Sequence, residues 1–356
     1  MKYFLTLLIF LFFTQNIYSS VDFNIFNSSY AYNGENGAYW EETRYTLTYF
    51  ENLFQPYFTI KSSENLTFKI GCGFLLPFNQ EDKIKNFYPY FQTKIENDGF
   101  SFIMGSLENN HNFPPCILDP LVNLTPQVRV ITKSQIPIDY ETFPYGIYSH
   151  GFYEYGLQIK YKDYLDVYYN WQLPDNQFHR ERFDIGLIVS FNSIYFGTHY
   201  WHNGGHENPH PVEITENYIV AAGLRNTNFS ILYLVSYFLP DRDSRPELNV
   251  FGQALYLEGN FYLFEFKFQP ILFFTSSFIN RSEKYISIEG DPFYRVPFYA
   301  GFNVEKSIKI GKECIINIGF VNGTFLPYTD VSWTPMMIRY DQKLVLNLEY
   351  KFLLME

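Results

Sequence analysis

Residues 343–352 read Lys343-Leu344-Val345-Leu346-Asn347-Leu348-Glu349-Tyr350-Lys351-Phe352. Leu344, Leu346, Leu348, Tyr350 and Phe352 fall on one side of an extended chain, and Lys343, Asn347, Glu349 and Lys351 on the other. Successive side chains of a strand point to opposite faces, so this stretch predicts a β-strand with one apolar and one polar face. The same alternation recurs upstream. Tyr153, Tyr155, Leu157, Ile159 and Tyr161 oppose Glu154, Gln158 and Lys160; Phe183, Ile185, Leu187 and Val189 oppose Arg182, Asp184 and Ser190. Marking every such segment predicts about sixteen strands of roughly ten residues, the length a tilted strand needs to cross a bilayer.

The spacers alternate in length. Short ones fall at 61–64, 96–99, 162–163, 192–193, 226–227 and 258–260; long ones at 80–85, 108–147, 174–180, 203–213, 240–245, 275–291 and 322–340. The expected fold is therefore all-β: a transmembrane antiparallel up-and-down β-barrel of about 16 strands, within a range of roughly 12 to 18, with short periplasmic turns and long extracellular loops. A soluble sandwich also alternates, but it must bury its apolar face against a second layer. A closed barrel in lipid needs none, because closure pairs every backbone group.

Composition agrees. The chain of 356 residues holds 39 Phe and 32 Tyr, only 18% charged residues, and a mean hydropathy of -0.17. Aromatics favour strands, and so modest a hydropathy excludes a bundle of membrane-spanning helices. The net charge of -11, without a basic cluster, excludes nucleic acid as a partner. Lys2 followed by the apolar run Phe4 to Phe13, ending at Ser19 and Ser20, predicts a cleaved secretory signal peptide over 1–19. An N-terminal periplasmic segment is expected over 20–40 and the barrel over 41–356. Cys72, Cys116 and Cys314 are read as wall or core residues rather than a disulfide framework.

From about Trp40 to Phe352 the pattern resembles bacterial outer-membrane β-barrel proteins of the porin kind, whose last strand often ends in an aromatic residue, as Tyr350-Lys351-Phe352 does here. The resemblance implies export to the outer membrane of a Gram-negative bacterium. It further implies contact with outer-membrane lipid and the barrel-assembly machinery, passive diffusion of small hydrophilic solutes, and a homo-oligomer as one compatible state.

A lumen that wide must be lined with polar groups. Glu154, Lys160, Asp166, Arg182, Asp184, Glu265 and Lys267 take the polar positions of their strands and are the expected pore-lining residues. The long 108–147 connection, rich in proline, is a candidate for folding into the barrel. All seven histidines fall between residues 111 and 210, at or beyond the predicted extracellular strand ends. His202, His206 and His210 are candidate metal ligands, because neutral imidazole is a common one. No cofactor is expected.

The expectation is a channel and not an enzyme. One alternative is a barrel hydrolase acting on lipid, which needs a nucleophile, usually Ser, within hydrogen-bond reach of a histidine oriented by a third polar group. Ser149-His150 and Thr198-His199 are adjacent pairs, but neighbours on a strand face opposite ways, and no G-X-S-X-G stretch is present. The other alternative is a surface-exposed binding or adhesion barrel whose loops carry the function.

Overall fold

A computed structural model of the protein describes residues 20–37, 44–77, 86–108, 113–114, 117, 155–172, 182–204, 214–239, 242–243, 246–278, 297–326 and 339–355. The strands are β1 (Ser20–Gly37), β2 (Arg44–Lys61), β3 (Leu66–Pro77), β4 (Asn86–Asn97), β5 (Phe100–Ser106), β6 (Tyr155–Tyr161), β7 (Leu165–Gln172), β8 (Arg182–Phe191) and β9 (Ile194–Asn203). They continue as β10 (Thr215–Arg225), β11 (Phe229–Leu239), β12 (Val250–Gly259), β13 (Phe261–Leu263), β14 (Phe266–Ser276), β15 (Phe298–Ile310), β16 (Cys314–Leu326) and β17 (Arg339–Met355). Both β12 and β13 pair with β14, so they are two pieces of one wall strand and the wall has 16. Every strand is antiparallel to its sequence neighbour, and β17 pairs back onto β1. The sheet is thus a closed meander in which no strand edge meets lipid. Lys351 Nζ lies 2.7 Å from Asp22 Oδ2 across that closing seam.

The hairpins alternate as expected. Tight turns and both strand termini occupy one end. Asp98 and Gly99 (φ 49° and 82°) close β4–β5, and Phe264 and Glu265 (φ 48° and 67°) close β13–β14. Two successive positive φ values are what a two-residue turn needs to match the strand twist, and Gly99 adopts its value without penalty. The long connections lie at the other end, called here the loop end. No helix among the described residues is long and apolar enough to cross a membrane.

Two boundary expectations are corrected. Residues 20–37, read from sequence as a periplasmic segment, form β1, the strand that closes the barrel. The sequence alternates separately over 41–50 and over 54–62, which predicts two strands, but residues 44–61 form the single strand β2. The physical reason is a polar patch on the outward face. Asn27 and Asn52 exchange side-chain amide bonds (3.1 and 3.0 Å), and Asn52 Nδ2 donates to Ser29 Oγ at 2.9 Å. These residues stand level with Leu346 and Leu348 of the apolar wall. They interrupt the alternation that marks a strand elsewhere. The 1–19 segment lies outside the described residues.

The outward face is otherwise apolar, with Leu157, Val189, Phe196, Val220, Ile231, Leu255 and Leu346 exposed, as a lipid-facing wall requires. The inward face divides. Toward β1–β6 and β15–β17 it carries polar groups. Lys94 Nζ and Lys160 Nζ reach Glu108 at 3.1 and 3.5 Å. From β7 to β15 it is largely apolar: Tyr168, Ile188, Tyr195, Ile219, Leu232, Leu234, Tyr256, Ile271, Phe273 and Tyr299 are buried in one cluster with Leu107, Phe113, Ile117 and Phe278 from the loop-end connections. Phe113 and Ile117 bear out the expectation that part of the long 108–147 connection enters the barrel. Glycines make the fit possible: a Cβ on Gly323 would stand 2.5 Å from the Tyr299 ring, which instead lies flat against that bare backbone.

Candidate functional site

Outward positions of β8–β10 change character toward the loop end. On β10, Leu224, Ala222 and Val220 face lipid; then come Tyr218 and, at the strand's end, Glu216. On β9 the same face carries Phe196, Thr198, Tyr200 and His202, and Glu216 is paired in register with His202. Around them lies an aromatic belt. Tyr200 stacks on Tyr218 (4.6 Å between centroids, 28°) and Phe183 on His202 (4.9 Å, 28°), with Tyr169, Trp171 and Tyr237 exposed nearby on the same face. Rings with an apolar body and a polar tip suit the boundary between acyl chains and headgroups.

Within that belt Glu216 is the hub. Its side chain is only 5% exposed, and it accepts from Tyr200 Oη (3.0 Å), Tyr218 Oη (2.9 Å), His202 Nδ1 (3.2 Å) and Arg242 Nη1 (2.7 Å). Four donors around one carboxylate hold it ionised and fixed, since each is a charge-assisted bond. An ionised carboxylate can only accept, so His202 Nδ1 carries the proton and Nε2 the basic lone pair. Arg242 comes from the β11–β12 connection, where its backbone N–H donates to Ile214 O at 2.9 Å. It also binds Asp243 (Nε–Oδ1 2.8 Å), and that bond, with Glu216 behind it, raises the guanidinium above its ordinary pKa and holds the Asp243 carboxyl below its own.

The inward face of the same strands holds a second histidine–carboxylate pair. His199 Nε2 and Asp184 Oδ2 are 3.7 Å apart, both residues essentially unexposed. Thr198 points outward and His199 inward, so the adjacent pair is no dyad. His150 and its neighbour Ser149 lie outside the described residues.

Several expected site residues are relocated. Asp166 and Asp184 do point inward, but both are buried; Asp166 Oδ1 accepts from Gln158 Nε2 at 2.9 Å, so neither lines water. Glu265 sits in the tight turn with its side chain 85% exposed, 3.3 Å from Lys306 Nζ, where it borders the cavity at the short-turn mouth. Lys160 is tied to Glu108. Lys267 stands at the short-turn mouth, 3.8 Å from Glu305 Oε2. That mouth contains a cavity of about 460 Å³ lined by Lys267, Glu305, Lys306, Asn317, Asn347 and Glu349 among others. Glu154 and the Arg182 side chain lie outside the described residues. So do His206 and His210; His202 is bound to Glu216, and among the described residues no group of three or more His, Cys, Asp or Glu is placed to hold a metal. Cys72 and Cys314 are free, half-buried wall residues, as expected.

Sequence reading singled out His202 but missed Glu216 and Arg242. The signal for Glu216 was present: it is an acid in phase with Tyr218, Val220 and Leu224, on the face that should be apolar. Arg242 had no local signal at all.

A family model described as lipid A 3'-O-deacylase-type matches residues 14–356. The chain belongs to this family. Membership in a deacylase-type family overturns the expectation that the barrel is not an enzyme. No curated protein matches the chain. Among solved structures it is similar to a triple mutant of the Rhodopseudomonas blastica porin, at 9% identity and a TM-score of 0.43 over 94% of this chain and 100% of that one. It is similar also to a second variant of that porin, at 8% identity and a TM-score of 0.42 over 93% and 100%. Those likenesses are loose, and the barrel assignment for this member of the lipid A 3'-O-deacylase-type family rests on its own strand pairing.

Proposed function

We propose that the protein is an outer-membrane esterase that removes an ester-linked acyl chain from a lipid A-type glycolipid, working on the outside of its wall. The observation that carries this reading is the outward-facing Glu216–His202 pair inside the aromatic belt at the loop end. With the loop end outside, as in other outer-membrane barrels, the pair stands at the headgroup level of the outer leaflet. A glycolipid there holds its ester carbonyls at that depth and need not leave the bilayer to react.

In this reading His202 Nε2 takes a proton from water as the oxygen attacks the ester carbonyl, while Glu216 holds the ring and stabilises the imidazolium that forms. Collapse of the tetrahedral intermediate breaks the acyl C–O bond, and the imidazolium returns the proton to the sugar oxygen. The products are the glycolipid hydroxyl and a free fatty acid. Tyr200, Tyr218 and Arg242 fix Glu216 and act as positioning residues. The test is mass spectrometry of lipid A incubated with purified protein. Loss of one acyl chain by the wild type, and its absence with His202→Asn, is expected; intact lipid A with the wild type refutes the reading.

The polar cavity at the short-turn mouth favours a second reading, a passive channel. Step conductance of the wild type in planar bilayers, unchanged by His202→Asn, supports it.

A further inference from the structure

The inward face of β8 and β9 carries two glycines, Gly186 and Gly197, where neighbouring inward positions carry Ile188, Tyr195 and Trp201. The space they leave is shared by three rings: a Cβ on Gly186 would run into the Tyr168 ring first, and one on Gly197 would stand 2.7 Å from Tyr195 Oη. A Cβ on Gly186 would stand 2.9 Å from Phe113 Cε2, and one on Gly197 would stand 3.2 Å from Phe113 Cε1. Phe113 itself is 1% exposed and meets Tyr168 (6.2 Å, 84°) and His199 (5.9 Å, 86°) edge to face. It enters beside Pro114 and Ile117, whose N–H bonds back to Pro114 O at 2.9 Å in a tight turn. Leu107 and Ile117 of the same connection join it in the cluster, and the other members belong to the wall or, for Phe278, to the β14–β15 connection.

Behind that ring lie Asp184 and His199. Among the described residues, neither carboxylate oxygen of Asp184 and neither ring nitrogen of His199 has a hydrogen-bond partner, and all four atoms are sealed from solvent. An acid–imidazole pair buried with no hydrogen-bonding protein neighbour is costly, and natural interiors satisfy nearly all such groups. It does not serve packing, because an apolar pair of similar volume would pack at lower cost. It is also separate from the Glu216–His202 pair, which faces the opposite side of the same wall.

We propose that Asp184 and His199 form a second, inward-facing acid–base site for water or a small hydrogen-bonding solute, and that Phe113 is the stopper that governs access to it. With Phe113 seated, the site is dry and the packed half of the lumen is closed. With Phe113 withdrawn, water enters and hydrogen-bonds the carboxylate and the imidazole from the newly opened side.

Carbethoxylation of histidine by diethyl pyrocarbonate, followed by peptide mass spectrometry on the full-length folded protein, reads the access directly. In the wild type, His199 should react roughly a hundredfold more slowly than in the urea-unfolded chain, the factor set by expelling a buried aromatic ring. Phe113→Ala should abolish that protection, and Phe113→Leu, which refills the notch, should restore most of it. Phe113→Val removes part of the ring's volume at less cost than alanine and should release His199 to an intermediate degree, which covers the case in which Phe113→Ala does not fold. Heat-modifiable migration on gels confirms folding in each case. Fast modification of His199 in the wild type, or full protection in folded Phe113→Ala or Phe113→Val, overturns the proposal.

Discussion

Replacing Glu216 by Gln keeps the shape of the outward cluster and removes its charge. The amide oxygen can keep the place of Oε1, which receives Tyr200, His202 and Arg242, while the amide nitrogen replaces Oε2 and donates to Tyr218 Oη. What is lost is the stabilisation of an imidazolium at His202. A full charge 3.2 Å away is worth about 5 kcal/mol at an effective dielectric of about 20. Arg242 shares the same oxygen at 2.7 Å and offsets part of that, so roughly half survives, about 2.7 kcal/mol. At about 1.36 kcal/mol per decade, Glu216→Gln should lower kcat/KM for deacylation roughly a hundredfold, within the usual range for a general base deprived of its partner. Arg242→Ala should cost less than about tenfold, since it leaves the carboxylate wholly to His202 and the tyrosines. The assay is fatty-acid release from lipid A in mixed micelles, with folding followed by gel mobility. Activity of Glu216→Gln within about twofold of the wild type, in folded protein, would refute the assignment of this cluster.

Three further outcomes follow from the same contacts. Glu108→Ala removes the carboxylate that Lys94 and Lys160 share, each less than a fifth exposed, while Lys94 keeps Glu96 at 3.1 Å; a loss of about 1 kcal/mol should appear as a lower urea midpoint in lipid vesicles. Gly323→Val places a branched side chain where Tyr299 lies and should lower the barrel's thermal transition; in combination with Tyr299→Ala most of the loss should be recovered, which a double-mutant cycle measures. Asp243 is held low in pKa by Arg242, so its contribution to docking the β11–β12 connection should persist from neutral pH to below the ordinary carboxylate range and fade only as acid titrates the folded group; proteolytic nicking of that connection against pH reports it.

Much of the wall was legible from a single property. Because strand side chains alternate with period two, Leu344 to Phe352 announces its own outward and inward faces, and the turn pairs Asp98-Gly99 and Lys162-Asp163 mark where hairpins close. The reading failed where composition broke that rule. Asn27, Ser29 and Asn52 put amides and a hydroxyl on the lipid face, so β1 was missed and β2 was split. The two errors cancelled in the strand count. The interior failed for a different reason: Asp166 and Asp184 occupy polar-phase positions, yet whether such a position meets water depends on what fills the barrel, and Phe113 fills it from far along the chain.

The sequence by itself determined the strands, their two faces, the alternation of short and long connections, and through these a membrane barrel rather than a soluble sheet. All are consequences of local geometry, since a face is set by parity and a hairpin by two or three residues. Tertiary structure alone decided that β1 closes the sheet against β17, that Glu216 meets His202 and Arg242, and that Phe113 packs against His199. These contacts depend on lateral register and on where a connection folds back. Neither is encoded in any window short enough to show a period, so they exist only once the whole wall has closed.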